Sequence, residues 1–385
     1  MRQSTLIRLG PGDPVPSFTA RGAANPHYAF DSIAGRYVVV SFIGGARVAG
    51  NETFLRQLAS ETACFDDSFA SIFLVSSDLS DEREGRLKER YPGIRVFWDD
   101  DGNLARLFGC LDPSDPLRPQ LRLTTWILDP ALRVLDVIPN NDPSTHLDAI
   151  RQRLNTLPLH DDDREQWAPI LAVPNVIEPE LCRELIGYAE RRGLSDSGFM
   201  TTDPVSGLTV GRVDHSHKRR SDCSIEDEDL RLALRSRIER RLVPQIERAF
   251  QFKATRLERY IVSCYDAATG GFFRAHKDNT TRGTAHRRFS VSIGLDAEGY
   301  VGGDLVFPEF GRRTYRPATG GAVVFSCSLL HAALPVTRGK RYAVLPFLYD
   351  DAAEAVRVAN ARFLDDATLR EGVLAASGRY ETGGR

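Results

Sequence analysis

Residues 265–278 read Tyr-Asp-Ala-Ala-Thr-Gly-Gly-Phe-Phe-Arg-Ala-His-Lys-Asp, and this stretch decides the fold of the C-terminal half. Gly270-Gly271 separates the apolar run Leu257–Tyr265 from a second run that ends in His276-Lys277-Asp278. In an extended strand, residues two apart share a face, so His276 and Asp278 are expected to point the same way. Further short strands are expected at Phe289–Leu295, Asp304–Phe307, Ala322–Ser326 and Arg341–Tyr349, divided by Gly302-Gly303 and Gly320-Gly321. Many short strands with glycine-rich turns predict a sandwich or jelly roll.

His331 follows Asp278 by 53 residues, just past the apolar run Ala322–Ser326. A His-x-Asp pair with a distant histidine is the two-histidine, one-carboxylate set of non-haem Fe(II) centres. Three ligands on one face leave the remaining positions open for a bidentate oxo acid and for O2. A lone His-x-Asp is a weak signal, and His215 with His217 forms a second close pair. That pair lies in a polar loop beside Lys218 and Arg219 with no apolar strand after it, so it is not read as the metal site. The basic run His217-Lys218-Arg219-Arg220 is read as loop surface.

The surrounding residues carry more information. Tyr265, Gly271, Phe273, His276 and Asp278 are followed by Arg288 and the strand SVSIGL. Then come Gly302-Gly303-Asp304-Leu305-Val306-Phe307-Pro308, Arg316-Pro317 and Gly320-Gly321-Ala322-Val323-Val324-Phe325. Last is His331-x3-Pro335-Val336-x2-Gly339-Lys340-Arg341-Tyr342. From Pro169 to Asp350 this series closely resembles the prolyl 4-hydroxylase branch of the 2-oxoglutarate/Fe(II) dioxygenases. The resemblance implies a double-stranded β-helix with His276, Asp278 and His331 as iron ligands and catalytic centre. It implies Arg341 as the residue that pairs with the far carboxylate of 2-oxoglutarate, a role suited to a guanidinium. Lys340 is the rival, and on a strand the two face opposite ways. Tyr265 resembles a family tyrosine that also contacts the cosubstrate. The implied cofactors are Fe(II), 2-oxoglutarate and O2, with ascorbate as a further candidate. The implied reaction couples decarboxylation of 2-oxoglutarate to succinate with hydroxylation of a prolyl or related residue, or of a small molecule. The carboxylate at Asp278 favours hydroxylation over halogenation.

Outward from this core the chain is ordinary in composition. It has 385 residues, 42% hydrophobic and 26% charged, with a formal net charge of −2. That length suits two domains, and the charge gives no reason to expect nucleic acid or an anionic membrane. No stretch approaches the roughly 20 apolar residues of a membrane span. Met1–Pro16 lacks the apolar core of a signal peptide, so the expected location is the cytoplasm. Six cysteines, at positions 64, 110, 182, 223, 264 and 327, form no C-x-x-C pair and read as ordinary thiols. The partner expected is a small-molecule or peptidyl substrate. Oligomeric state is not readable.

The first half alternates strand and helix. Strands are expected at Tyr37–Ile43, Ser71–Ser76, Thr124–Leu128 and Val134–Ile138, the last two joined through Asp129-Pro130. Helices are expected at Asn51–Glu61, Ser80–Arg90 and Ser144–Leu157. A mixed α/β sheet follows. The opening Gly12-Asp13-Pro14-Val15-Pro16-Ser17-Phe18, the strand Tyr37–Phe42 and the hairpin Trp126-Ile127-Leu128-Asp129-Pro130 resemble the thioredoxin fold of the peroxiredoxin family. The family's peroxidatic cysteine sits in a P-x-x-x-T-x-x-C segment after that strand. Here Ile43–Asn51 holds no cysteine, and peroxide reduction needs a thiolate. Cys64 lies too far along the next helix to replace it. The expected arrangement is a redox-inactive thioredoxin-like domain over 1–158, a linker over 159–168, the dioxygenase domain over 169–350 and a helical tail over 351–385. In the dioxygenase domain, helices are expected at Glu178–Arg192 and Asp227–Phe250. Loops such as Ser195–Ile225 are expected to choose the substrate. Two other readings are a non-catalytic module that keeps the fold, and a thiol peroxidase.

Overall fold

The computed structural model describes residues 9–61, 63–111, 120–158 and 166–378. Most of the expected linker, residues 159–165, therefore lies outside the described residues, as do Met1–Arg8 of the segment read for a leader. The chain divides into two compact units. One runs up to Gln166 and takes in Pro308–Arg312; the other comprises Trp167–Phe307 and Arg313 onward.

The first unit is a mixed sheet with helices, a thioredoxin-like α/β architecture. Its central strand, Tyr37–Gly44, pairs in parallel with Ala70–Ser76 and antiparallel with Thr124–Leu128. Val38, Val39 and Ile43 in that strand are buried, as a continuous apolar run on a two-sided sheet requires. Thr124–Leu128 continues antiparallel to Val134–Pro139. Helices Asn51–Ser60 and Pro143–Leu154 pack Phe54, Leu58, Leu147, Ile150 and Leu154 into one core with Val39 and Ile127.

Two expectations need correction here. The helix expected over Ser80–Arg90 forms only at Leu79–Arg83, capped by Asp78 accepting from the Ser80 amide at 2.9 Å. It ends before Gly85, whose φ of 62° is outside the helical region. A strand not expected from sequence, Ile94–Trp98, pairs in parallel with Ala70–Ser76. Arg95 breaks its apolar pattern, yet lies buried because Asp67 receives it through two bonds of 2.8 and 2.7 Å.

The second unit is a jelly roll with helices on one side. Its larger sheet contains Ser221–Ser224, Ile261–Asp266, Val336–Val344, Phe289–Gly294, Phe347–Tyr349 and Arg256–Glu258, with Ala322–Ser326 also on Phe289–Gly294. Its smaller sheet runs Lys218–Arg219, Phe272–His276, His331–Ala333, Leu305–Val306, Thr314–Tyr315. One face of the larger sheet offers Val262, Cys264, Val291, Ile293, Tyr342 and Val344 to a core shared with Leu181 and Leu185 of helix Pro179–Arg192 and with Leu234 and Ile246. Strand alternation then sends Ser263, Tyr265, Ser290, Ser292, Arg341 and Ala343 to the opposite, inner face, where all six are also buried. Buried polar groups need partners, so this inner face is built to hold polar groups.

The helix expected over Asp227–Phe250 is divided. Helix Glu228–Arg237, capped by Asp227, passes through a π-helical turn at Ile238–Leu242 into Val243–Phe250. Pro244 has no amide hydrogen for the helical ladder, which accounts for the local change. The strand expected over Leu257–Tyr265 breaks at Arg259, whose φ is 74°. That over Arg341–Tyr349 breaks at Leu345-Pro346, because proline cannot continue the ladder. The tail forms helices Asp351–Asn360 and Ala367–Gly378.

Candidate metal centre and cosubstrate pocket

The smaller sheet sets the two histidines beside each other. His276 closes strand Phe272–His276, His331 opens His331–Ala333, and the two are cross-strand partners with ring centroids 4.3 Å apart. The strand ends at His276, so Asp278 does not share a face with it by alternation, as the sequence suggested. Asp278 lies in the following turn, held by its amide donating to the Cys327 carbonyl at 3.0 Å. That turn brings its carboxylate oxygens to 3.6 Å from His276 Nε2 and 3.4 Å from His331 Nε2. One ligand atom from each of the three lies within 4.8 Å of the others.

The electrostatics fit a divalent cation. His276 Nδ1 lies 2.8 Å from the Arg274 carbonyl and His331 Nδ1 lies 3.0 Å from that of Leu329. A carbonyl can only accept, so each Nδ1 carries the proton and each Nε2 presents a lone pair to the centre. Burial, with the neighbouring His276, pushes the His331 imidazole down to about 4, keeping it neutral. Burial alone would raise the Asp278 carboxyl. The nearby His331 and His276 rings and the Arg287 guanidinium outweigh it, holding the group well below the usual carboxylate range. Two neutral imidazoles and one carboxylate, on separations that bonds of about 2 Å to a shared ion can span, suit a hard-to-borderline divalent metal. Phe273 stacks on His276 at 3.5 Å and Phe325 meets His331 at 4.5 Å, fixing both rings.

Arg341 and Lys340 separate as adjacent strand residues must. Arg341 is buried; its Nη1 donates to the Gly303 carbonyl at 2.8 Å and its Nη2 to Ser292 Oγ at 3.0 Å. Lys340 is half exposed and faces Asp266 at 3.7 Å. Gly303 has φ of 70°, and a Cβ there would lie 2.7 Å from Val336 and 3.3 Å from Arg341 Cδ. Tyr265 is the cross-strand partner of Arg341, its ring 5.0 Å from the guanidinium carbon.

Neither His215 nor His217 joins the ligand group. His215 bonds to Asp196 at 2.7 Å, while the His217 ring packs against Phe199 and Phe273. The run His217–Arg220 is not a surface loop as expected. Lys218 and Arg220 are buried on alternate positions, and Arg219 points outward. Arg220 is compensated by Asp222 at 2.7 Å. The Lys218 ammonium donates to Ser197 Oγ at 2.8 Å, and burial beside Arg220 pushes it down to about 6. The polar alternation of Arg220, Asp222, Ser290 and Ser292 was the available sequence signal.

Comparison with known proteins agrees with this geometry. Residues 260–349 match the 2OG-Fe(II) oxygenase superfamily, and residues 11–137 match the AhpC/TSA family. The chain therefore carries an AhpC/TSA-type domain followed by a 2OG-Fe(II) oxygenase domain, and that family implies Fe(II), 2-oxoglutarate and O2. A PKHD-type hydroxylase of Pseudomonas putida is 38% identical over 91 residues, covering 22% of this chain and 39% of the relative. Another from Cupriavidus metallidurans is 27% identical over 186 residues, covering 45% of this chain and 75% of the relative. The chain thus spans about two fifths of the first relative's length. A solved Trichoplax adhaerens prolyl hydroxylase, in complex with a hypoxia inducible factor peptide fragment, is 16% identical. It covers 54% of this chain and 91% of its own, with a TM-score of 0.37. Among the described residues no helix is long and apolar enough to cross a membrane.

Proposed function

We propose that the chain is an Fe(II)- and 2-oxoglutarate-dependent dioxygenase that hydroxylates a prolyl or related residue, or a small molecule. The observation that carries this is the convergence of His276, Asp278 and His331 within 4.8 Å, with both Nε2 atoms facing an ionised carboxylate. Bound Fe(II) supplies the redox centre at which O2 and the 2-oxo acid react. The balanced reaction takes 2-oxoglutarate, O2 and a substrate C–H to succinate, CO2 and C–OH.

The chain's own residues hold and orient. His276, Asp278 and His331 would hold the ion. Arg341, fixed by Gly303 and Ser292, receives the far carboxylate of 2-oxoglutarate as a charge-assisted pair. Tyr265 flanks that carboxylate. The aromatic rings of Phe273 and Phe325 pack on His276 and His331 and orient them. Ascorbate is the reductant that keeps the iron ferrous, and the cytoplasm is the compartment that suits six unpaired cysteines. The AhpC/TSA-type domain serves as a scaffold or docking element.

The test is turnover. Full-length protein with Fe(II), 2-oxoglutarate and ascorbate is offered proline-containing peptides and a small-molecule library, and products are read by mass spectrometry. A gain of one oxygen with matching succinate supports the proposal. Failure to form succinate under any of these conditions opposes it.

A further inference from the structure

A run of contacts crosses the inner face of the jelly roll, from the metal centre to the cosubstrate pocket. Arg287 Nη1 donates to the Asp278 carbonyl at 3.3 Å, and its guanidinium lies 4.0 Å from the Phe347 ring. Arg259 lies 5.2 Å from the same ring and faces Asp222 at 3.7 Å. Asp222 holds Arg220 at 2.7 Å, and Arg220 lies 5.9 Å from the Tyr265 ring.

The charges along this run do not balance locally. Glu258 is taken by Arg287 at 2.7 Å and by His286 at 2.7 Å. Asp222 already accepts from Arg220, from Ser263 at 2.7 Å and from Ser197. Arg259 shares Asp222 with Arg220, at the longer distance of 3.7 Å, and its guanidinium makes no hydrogen bond among the described residues. Arg220 is buried with its Nε also lacking a partner. Burial, with Arg220 and Arg287 close by, pushes the Arg259 guanidinium down to about 10. The Arg259 side chain keeps 27% of its surface exposed, so its unused N–H donors are open to a ligand.

The backbone is bent to create this arrangement. Alternation would send Glu258 and Arg259 to opposite faces. The φ of 74° at Arg259 instead breaks the strand and delivers both side chains to the Arg287–Phe347 side. Non-glycine residues held at such φ values are strained, and strain of this kind is found at ligand sites.

We propose that Arg259, with Arg220, receives a carboxylate of the substrate, so that the hydroxylated molecule is an acid held between the metal centre and Tyr265. A guanidinium with free N–H donors matches a carboxylate bidentately. The adjoining Asp222 disfavours a doubly charged phosphate. The site is separate from Arg341, which lies 5.0 Å from the Tyr265 ring and bonds to Gly303 and Ser292. The proposal rests on the dioxygenase reading and adds a substrate class to it.

The test uses full-length protein loaded with Fe(II) and 2-oxoglutarate under argon. Calorimetry measures binding of the N-acetyl derivatives of the twenty amino acids and of their primary amides. At least one acid is expected to bind about tenfold or more tightly than its amide. Arg259→Gly should remove that preference while keeping the fold, because glycine relieves the φ at this position. Arg259→Lys should retain part of it, and 2-oxoglutarate affinity should stay unchanged in both. Either a parent that binds no acid in preference to its amide, or a preference intact in Arg259→Gly, overturns the proposal. Loss of 2-oxoglutarate binding in the parent would instead sink the dioxygenase reading, and this proposal with it.

Discussion

Tyr265 and Arg341 are cross-strand partners on the inner face of the larger sheet, with the guanidinium carbon 5.0 Å from the ring. Arg341 is buried while its neighbour Lys340 is half exposed and paired with Asp266. A charge-assisted bond to a carboxylate is worth about 1.5–3 kcal/mol. Arg341→Ala should therefore raise the KM for 2-oxoglutarate at least about tenfold, and Lys340→Ala should leave it nearly unchanged. Steady-state kinetics on both variants measure this. A larger effect at Lys340 would reverse the assignment.

The AhpC/TSA-type domain is expected to consume no peroxide. No cysteine lies in Gly44–Asn51, where Asn51 closes the loop by donating to the Ile43 and Gly45 carbonyls at 2.8 and 2.7 Å. Burial, aided by the Glu61 carboxylate, pushes the half-buried Cys64 thiol up, away from the reactive thiolate. Full-length protein with dithiothreitol and hydrogen peroxide should show no turnover, and Cys64→Ser should match it. Robust consumption abolished by Cys64→Ser would contradict this.

Stability should fall on mild acidification through His146. The ring is buried with Nε2 2.7 Å from Thr125 Oγ1, and burial pushes its pKa down to about 4 from 6.5. Between those values the unfolded chain binds a proton that the folded chain does not. Stability contributed by the neutral ring is present above about pH 6.5 and is lost as pH falls toward 4, by up to about 1.4 kcal/mol per unit. His146→Gln should show a shallower loss of thermal stability from pH 6.5 to 4.5 than the parent. Equal slopes would exclude His146 as a source.

Much of this molecule was legible in the sequence because strand periodicity is a local property. Tyr37–Gly44, Thr124–Leu128, Phe289–Gly294 and Ala322–Ser326 form close to where their apolar patterns place them. The separation of Lys340 from Arg341 followed from alternation alone. What local pattern could not show was charge compensated from afar. Arg95 hid a strand because its partner Asp67 is 28 residues away. Lys218 resembled a solvated residue until Ser197, 21 residues away, received its ammonium. Asp278 reaches the histidines through a turn rather than a strand face. The φ at Arg259 has no sequence signature, since arginine is not a residue that favours it.

The most direct measurement is an anaerobic titration of full-length protein with Fe(II) and 2-oxoglutarate, followed by visible absorption. The parent should develop a charge-transfer band that saturates at one iron per chain, and should form succinate once O2 is admitted. Alanine at His276, Asp278 or His331 should weaken the band and abolish succinate. Asp278→Ala is the most informative, since two histidines can retain some iron without supporting turnover. A parent that binds no iron and shows no band, or three alanine variants that keep full turnover, would contradict the account.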